Sequence, residues 1–311
     1  MIPSLENINE SKKRKVVILG SGNIGMDLLY KVKKSPLLDI GILIGIDPDS
    51  QGLTMANGEG IKTSHRGINE LEENPEYGDI VFDATSANAH FKHAPILKKL
   101  NKTAIDLTPA ALGTKVVPVV NLDHNLDKDN LCLITCGGQA VIPIVHAIHQ
   151  VCSVEYAEMV SSISSKSAGP GTRQNIDEFT ATTARALEEV SGAKRGKAIM
   201  ILNPAEPPVM MNNTIYCLAE DAEKNKEKVS EAINKMVERV KKYVPGYELK
   251  TQPIFDGNKV TVLLKVIGAG DYLPKYAGNL DIMTSAAVAA AETIASAMKY
   301  TDKAQVLDNE Q

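Results

Sequence analysis

A cysteine backed by two glycines, Cys136-Gly137-Gly138, stands between a short apolar run, Leu131–Thr135, and a longer apolar stretch of helical character. At such a strand-to-helix corner the first-turn N–H groups favour a thiolate, so a lowered pKa is expected for Cys136. The same donors, from Gly137 and Gly138, could hold the oxyanion that forms when a thiolate attacks a carbonyl. On this reading the glycines are there so that substrate can reach both sulfur and backbone. The alternative is a packed thiol beside a loose turn. Cys132, Cys152 and Cys217 read as buried filler, and the four cysteines fit no zinc or C-x-x-C redox spacing.

A second constellation, GSGNIG, spans Gly20, Ser21, Gly22, Asn23, Ile24 and Gly25. It follows an apolar run, RKVVIL at 14–19, and opens an amphipathic segment at 26–34. In that context the glycines allow a tight turn and let a pyrophosphate sit on backbone N–H groups at a helix N-terminus. Asp47, at the end of a second apolar run (GILIGI, 41–46), could accept hydrogen bonds from a ribose 2′-OH and would repel a 2′-phosphate, which favours NAD. Its alternative is a turn residue before Pro48. His90, His93, His146 and His149 could be sought as bases for Cys136, but no spacing ties them to it, and each reads as satisfied or exposed.

The elements that position these residues follow from the apolar pattern. Runs at 14–19, 41–46, 79–84, 103–107, 116–120 and 131–135 read as strands, with a helix at 90–100, which gives an α/β doubly wound parallel sheet of Rossmann type. Beyond Cys136, strand candidates at 154–165, 197–202, 214–218, 247–253 and 259–267 dominate. They predict an α+β second domain with a mixed sheet. Helices are expected at 179–190 and through Val229, Ile233, Met236, Val237 and Val240. The Ala-rich stretch 280–298 reads as a buried helix that returns to the first domain. The division expected is 1–135 plus 280–311 for the nucleotide and 136–279 for catalysis and dimerisation.

The chain has 311 residues, 43% hydrophobic, with a net charge of −4. That balance argues against a nucleic-acid binder, which needs a basic surface. No apolar run reaches membrane-spanning length, and residues 1–13 lack the core of a signal peptide. A reducing, cytoplasmic setting with free thiols is expected.

Taken together, GSGNIG, IGID at 44–47, VFDATSA at 81–87, IDLTPAA at 105–111, VPVVNL at 117–122, TCGGQA at 135–140, SSKSAGPGTRQNIDEFT at 164–180, RGKAIMILNPAEPP at 195–208 and YLPKYAGNLDIMTSAA at 272–287 resemble the acetylating acetaldehyde dehydrogenases of bacterial aromatic-degradation pathways. The resemblance implies oxidation of acetaldehyde to acetyl-CoA with NAD and coenzyme A, and Cys136 as the acyl-thioester nucleophile. It implies cofactor contacts from Ser21, Gly22, Asn23 and Ile24, and from the loop Ser167, Ala168, Gly169, Pro170, Gly171, Thr172, Arg173, Gln174 and Asn175. Asn279 is implied to face the nicotinamide. Asn175 could equally cap a helix, with Glu178 three residues on, Asn279 could cap the last one, and Lys166 and Arg173 could be surface charges. A homodimer and a 4-hydroxy-2-oxovalerate aldolase partner are implied. Where the family pattern has an aspartate thought to assist the thiol, this chain has Asn213, and an amide cannot take a proton. The FDGNK turn at 255–259 is also shorter than the pattern. Two other readings remain: a phosphate-dependent dehydrogenase of the semialdehyde type, and a nucleotide-binding protein without turnover.

Overall fold

The structure, a computed structural model, describes residues 13–169, 173 and 176–309, with side chains described to residue 298. β-Branched and apolar runs form the strands β1 (Arg14–Leu19), β2 (Leu38–Ile44), β3 (Thr63–Ser64), β4 (Ile80–Asp83), β5 (Thr103–Asp106), β6 (Thr114–Lys115) and β7 (Asn130–Cys132). They pair in the order β3-β2-β1-β4-β5-β7-β6, every pair parallel. Val16, Val17 and Ile18 are wholly buried, as expected of a strand covered on both faces. The order reverses between β1 and β4, so a crevice opens at their carboxyl ends. Helices α1 (Asn23–Lys34), α2 (Gln51–Gly58), α3 (Ile68–Glu73) and α4 (Ala87–Lys99) supply the crossovers.

One sequence expectation fails here. Residues 116–120 are not a strand: Pro118–Asn121 forms a helical turn, α5, with proline in its first position. Proline needs no N–H there, and the Asn121 side chain closes the turn by accepting from Val117 N (2.9 Å) and donating to Lys115 O (2.9 Å). The run 131–135 is also trimmed, with β7 ending at Cys132.

Helix α6 (Cys136–His149) leads into the second half. There β8 (Val154–Ser164), β9 (Gly196–Asn203), β10 (Met211–Ala219), β11 (Tyr247–Leu249), β12 (Ile254–Asp256) and β13 (Lys259–Val266) form a sheet ordered β11-β13-β10-β8-β9, with β12 on β13. It is mixed: β8 and β9 run parallel, the other pairs antiparallel. Alternate residues of β8 and β10 are buried. Helices α7 (Ile176–Ser191) and α8 (Lys226–Lys241) pack with α6. The last helix, α9 (Gly278–Asn309), returns to α1, as its composition suggested. Lys31 of α1 is buried and bonds Asp281 (2.7 Å) and Asp27 (3.0 Å), while Thr284 Oγ1 donates to Asp27. No helix among the described residues is long and apolar enough to cross a membrane.

The buried end of the first sheet carries an acid–histidine cluster. Asp83 Oδ2 accepts from His90 Nδ1 (2.9 Å) and His93 Nδ1 (2.8 Å), and His90 Nε2 lies 3.4 Å from Asp106 Oδ2. Burial raises the Asp106 carboxyl to about 6. Burial opposes charge on His90, yet bonding to Asp83 and the field of Asp106 raise its pKa above the usual value. Asp83 is held below the usual carboxylate range: burial works against this, and the two histidines outweigh it. With Asp106 and His90 raised, the folded protein binds more protons than the unfolded chain, so stability falls as pH rises through both values. Depressed Asp83 adds stability that is lost in acid, below its unfolded pKa of about 4. Urea unfolding between pH 5.5 and 8.5 is expected to show declining stability, and His90→Gln should flatten that decline. A parallel decline in both proteins would refute the assignment.

Candidate functional site

After β7 the chain turns sharply. Ile134 has a φ of +66°, a strained conformation for a β-branched residue and worth about 1–3 kcal/mol. Buried Gln139 anchors the turn, its Nε2 donating to Leu133 O (2.9 Å) and Val116 O (2.8 Å). Thr135 is the N-cap of α6, and its Oγ1 accepts from Gly138 N at 2.9 Å. That hydroxyl lies 2.7 Å from Thr183 Oγ1 on α7, which donates to Phe179 O at 2.7 Å. The proton directions are therefore fixed: Gly138 N–H to Thr135, Thr135 O–H to Thr183, Thr183 O–H to Phe179.

This arrangement changes the expected roles of the glycines. The Gly138 amide is already engaged by Thr135, so it is not a free donor for an oxyanion. The backbone amides that favour a thiolate on Cys136 are those of Gly137 and Cys136 itself. A Cβ on residue 137 would lie 2.7 Å from Met159 Sδ and 3.3 Å from Phe179 Cζ; one on residue 138 would lie 3.1 Å from Ile134 Cγ2 and from Thr135 Oγ1. Protein atoms, then, occupy the space that glycine leaves, and the glycines let the sheet and α7 close on the turn. The lowered thiol pKa is also overturned. Cys136 is only 9% exposed, and burial pushes its pKa up to about 12 against the two amide bonds. Desolvation of a thiolate is the larger effect here.

The nucleotide corner fits its motif. A Cβ on Gly25 would lie 1.8 Å from Gly20 O, and one on Gly20 2.5 Å from Ala84 O at the end of β4. Around Gly22 a Cβ would meet nothing within 4 Å, so the N-terminus of α1 has open space beside it, with Gly22 and Asn23 exposed and Ile24 and Ser21 half-buried. Ser21 Oγ is 2.7 Å from Ser50 Oγ, the cap of α2. Asp47 does not close a strand: β2 stops at Ile44, and exposed Asp47 takes the Asp49 N–H on Oδ1 (3.0 Å) in a local turn.

The loop after β8 approaches from the second half. Ser167 and Ala168 are buried and Gly169 is exposed; Pro170, Gly171, Thr172, Gln174 and Asn175 lie outside the described residues. Arg173 is not a loose surface charge: its guanidinium donates to Ala168 O (3.0 Å) and to Ser165 O (2.6 Å) and Oγ (2.8 Å). Lys166, by contrast, is an exposed partner of Glu206 (2.6 Å). Asn279 is 2% exposed and lies inside α9 rather than at its cap; its Nδ2 donates to Ser167 O at 3.4 Å, and among the described residues its Oδ1 has no partner. The unpaired Asn279 Oδ1 is an acceptor that a ligand's amide donor could meet, and the open backbone at Gly22 suits a nucleotide's phosphates. Asn213, in β10, is buried opposite Ser161 of β8, one core-facing row from Met159 and Ile215. The expected histidines are engaged elsewhere: His90 and His93 on Asp83, His149 accepting from Val154 N (3.4 Å).

Thr135, Thr183, Gln139 and Ser161 were not among the expected site residues. A threonine before a helix is a legible cap signal; the contacts of the other three arise between distant segments and leave none. Iodoacetamide labelling of Cys136 in the ligand-free protein is expected to accelerate steadily from pH 7 to 10, as a thiol of raised pKa requires. A plateau near neutrality would mean the thiolate is already formed.

Residues 136–274 match a family model described as prokaryotic acetaldehyde dehydrogenase, dimerisation. An acetaldehyde dehydrogenase of Geobacillus stearothermophilus is 60% identical over 283 residues, covering 91% of this chain and 96% of that protein. One from Thermus thermophilus is 57% identical over 294 residues, covering 92% and 95%. In three dimensions the chain is similar to aspartate semialdehyde dehydrogenase II of Vibrio cholerae, with a TM-score of 0.58 at 14% identity over 92% of this chain and 98% of that one, a likeness of fold. With relatives this similar over nearly its whole length, the chain belongs to the acetaldehyde dehydrogenase family.

Proposed function

We propose that this protein oxidises acetaldehyde to acetyl-CoA with NAD, through an acyl thioester on Cys136. The observation that carries the reading is the placement of Cys136: it is the first residue of α6, beside first-turn amides that favour its thiolate, and α6 follows directly on the parallel sheet that holds the nucleotide corner. The sulfur gives up its proton and attacks the aldehyde carbon, and the carbonyl oxygen becomes the hydroxyl of a thiohemiacetal. A bound NAD would supply the acceptor for the hydride that leaves this carbon. The hydroxyl proton passes to water, leaving the thioester; the thiol of coenzyme A would then attack the carbonyl, its proton returning to the Cys136 sulfur as acetyl-CoA leaves.

The chain's own groups divide the work. The amides of Cys136 and Gly137 stabilise negative charge on sulfur and, in the tetrahedral states, beside it. Gly20, Gly22 and Gly25 form the pyrophosphate turn, and Ser21, Asn23 and Ile24 frame it. Asp47 would take ribose hydroxyls, which supports NAD over its 2′-phosphorylated form. Asn279 and the Ser167–Gly169 stretch would hold the carboxamide end. The domain division proposed is residues 1–135 with 280–311 against 136–279. The homodimer proposed joins through the outer face of the second sheet, where Ile201, Tyr216, Leu218 and Ile254 are exposed. A cytoplasmic role in aromatic catabolism, beside a 4-hydroxy-2-oxovalerate aldolase, completes the proposal and rests on the family resemblance.

NADH absorbance with acetaldehyde and NAD tests the reading. Turnover is expected with coenzyme A and not with phosphate in its place. Cys136→Ala should abolish turnover while NAD still binds. Equal rates with phosphate would favour semialdehyde-type chemistry, and silence in both mixtures a protein without turnover.

A further inference from the structure

We propose that Ser161 and Asn213 form a neutral polar seat for the carbonyl oxygen of the aldehyde, and that this seat selects short uncharged aldehydes. The inference rests on Cys136 being the nucleophile.

Three side-chain atoms carry it. Ser161 Oγ and Asn213 Nδ2 and Oδ1 are buried and have no hydrogen-bond partner among the described residues. Ser161 is wholly buried and Asn213 is 2% exposed. Native interiors leave few such atoms unpaired, and those that remain point to a missing water or ligand. The two residues are direct partners across β8 and β10, so they form one row, and successive odd-numbered residues of both strands face the core. In the next row along, Met159 pairs with Ile215, and Met159 Sδ packs where a Cβ on Gly137 would be. The orphaned row thus lies beside the first turn of α6, where the thiol stands.

The chemistry of that turn requires a further donor. Gly138 N–H is engaged by Thr135, and the effect of the Gly137 and Cys136 amides falls on the sulfur itself. When the thiolate adds to the aldehyde, negative charge develops on an oxygen a bond further out. The Asn213 amide and the Ser161 hydroxyl can both donate to it. Neither titrates, so the seat stays a donor at any working pH. The surroundings set the specificity. The core-facing positions of β8 and β10 carry Met159, Ile163, Met211 and Ile215 around the pair, and no charged side chain. A substrate carboxylate or phosphate placed there would be buried without a counter-ion.

The test uses Asn213→Ala and Ser161→Ala in the full-length protein. With acetaldehyde, NAD and coenzyme A, Asn213→Ala is expected to lower kcat/KM by a factor on the order of 10² to 10³, the usual effect of removing an oxyanion donor. The loss should fall mainly on kcat, with NAD affinity unchanged. Ser161→Ala should lower kcat/KM by roughly tenfold while holding or raising the melting temperature, because it deletes a buried hydroxyl that has no partner. A second readout needs no turnover. Relative to N-acetylcysteine, wild-type Cys136 should prefer neutral iodoacetamide over anionic iodoacetate, and Asn213→Ala should slow iodoacetamide labelling by removing the donor to its carbonyl oxygen. If the wild type forms no acyl adduct on Cys136 from acetaldehyde and NAD, the proposed function fails; the labelling ratio still judges the seat. A wild-type labelling ratio equal to that of N-acetylcysteine, iodoacetamide labelling no slower in Asn213→Ala, or kcat/KM of Asn213→Ala within threefold of wild type, overturns the seat.

Discussion

The geometry around Cys136 depends on one hydroxyl. Thr135 Oγ1 receives the Gly138 amide and passes its own proton to Thr183, which closes the series on a helix carbonyl. This fixes where α6 begins and which first-turn amides stay with the sulfur. It also stands against the strain at Ile134, whose left-handed φ persists because Gln139 ties the Leu133 carbonyl before the turn to the Val116 carbonyl of a separate segment. Because Thr183 belongs to α7, the same hydrogen bonds join the helix that begins at Cys136 to the helix that follows the loop around Arg173.

The thiol illustrates two opposed effects of burial. Removing water raises the energy of a bare thiolate, and this pushes Cys136 to about 12 despite its two amide donors. The same low-dielectric surroundings strengthen each N–H that meets a developing negative charge. A site of this kind holds a neutral thiol at rest and favours charge only once a partner is in place. The helix N-terminus alone does not decide the ionisation state of Cys136.

A second joint ties the two ends of the cofactor corner together. Lys31 is a helix turn and more along from Gly22, and it is buried against Asp27 and Asp281. Burial opposes its charge, but the two carboxylates raise its pKa and hold it protonated. Asp281 stands two residues from Asn279 in α9, and Ala269 N also donates to its carboxylate (3.1 Å). The helix that opens at the glycine turn and the helix that carries Asn279 are thereby fixed to one another. A pair broken on one side would leave a charge buried and unpaired.

By itself the sequence determined the parallel sheet, the glycine turn at 20–25, the cysteine at the strand-to-helix corner and the returning last helix. These are local patterns, in which period, glycine spacing and run length reflect short-range sterics and burial. Its misreadings were local too: Pro118 and Asn121 convert an apolar run into a helical turn through hydrogen bonds that hydropathy does not register. Only the tertiary structure decided that Gly137 makes room for Met159 and Phe179, that Thr135 takes the Gly138 amide, and that Ser161 and Asn213 share a row. Those facts join residues far apart in the chain. The pKa of Cys136 and the partners of Ser161 depend on what the folded protein places around them, and no window of sequence contains that.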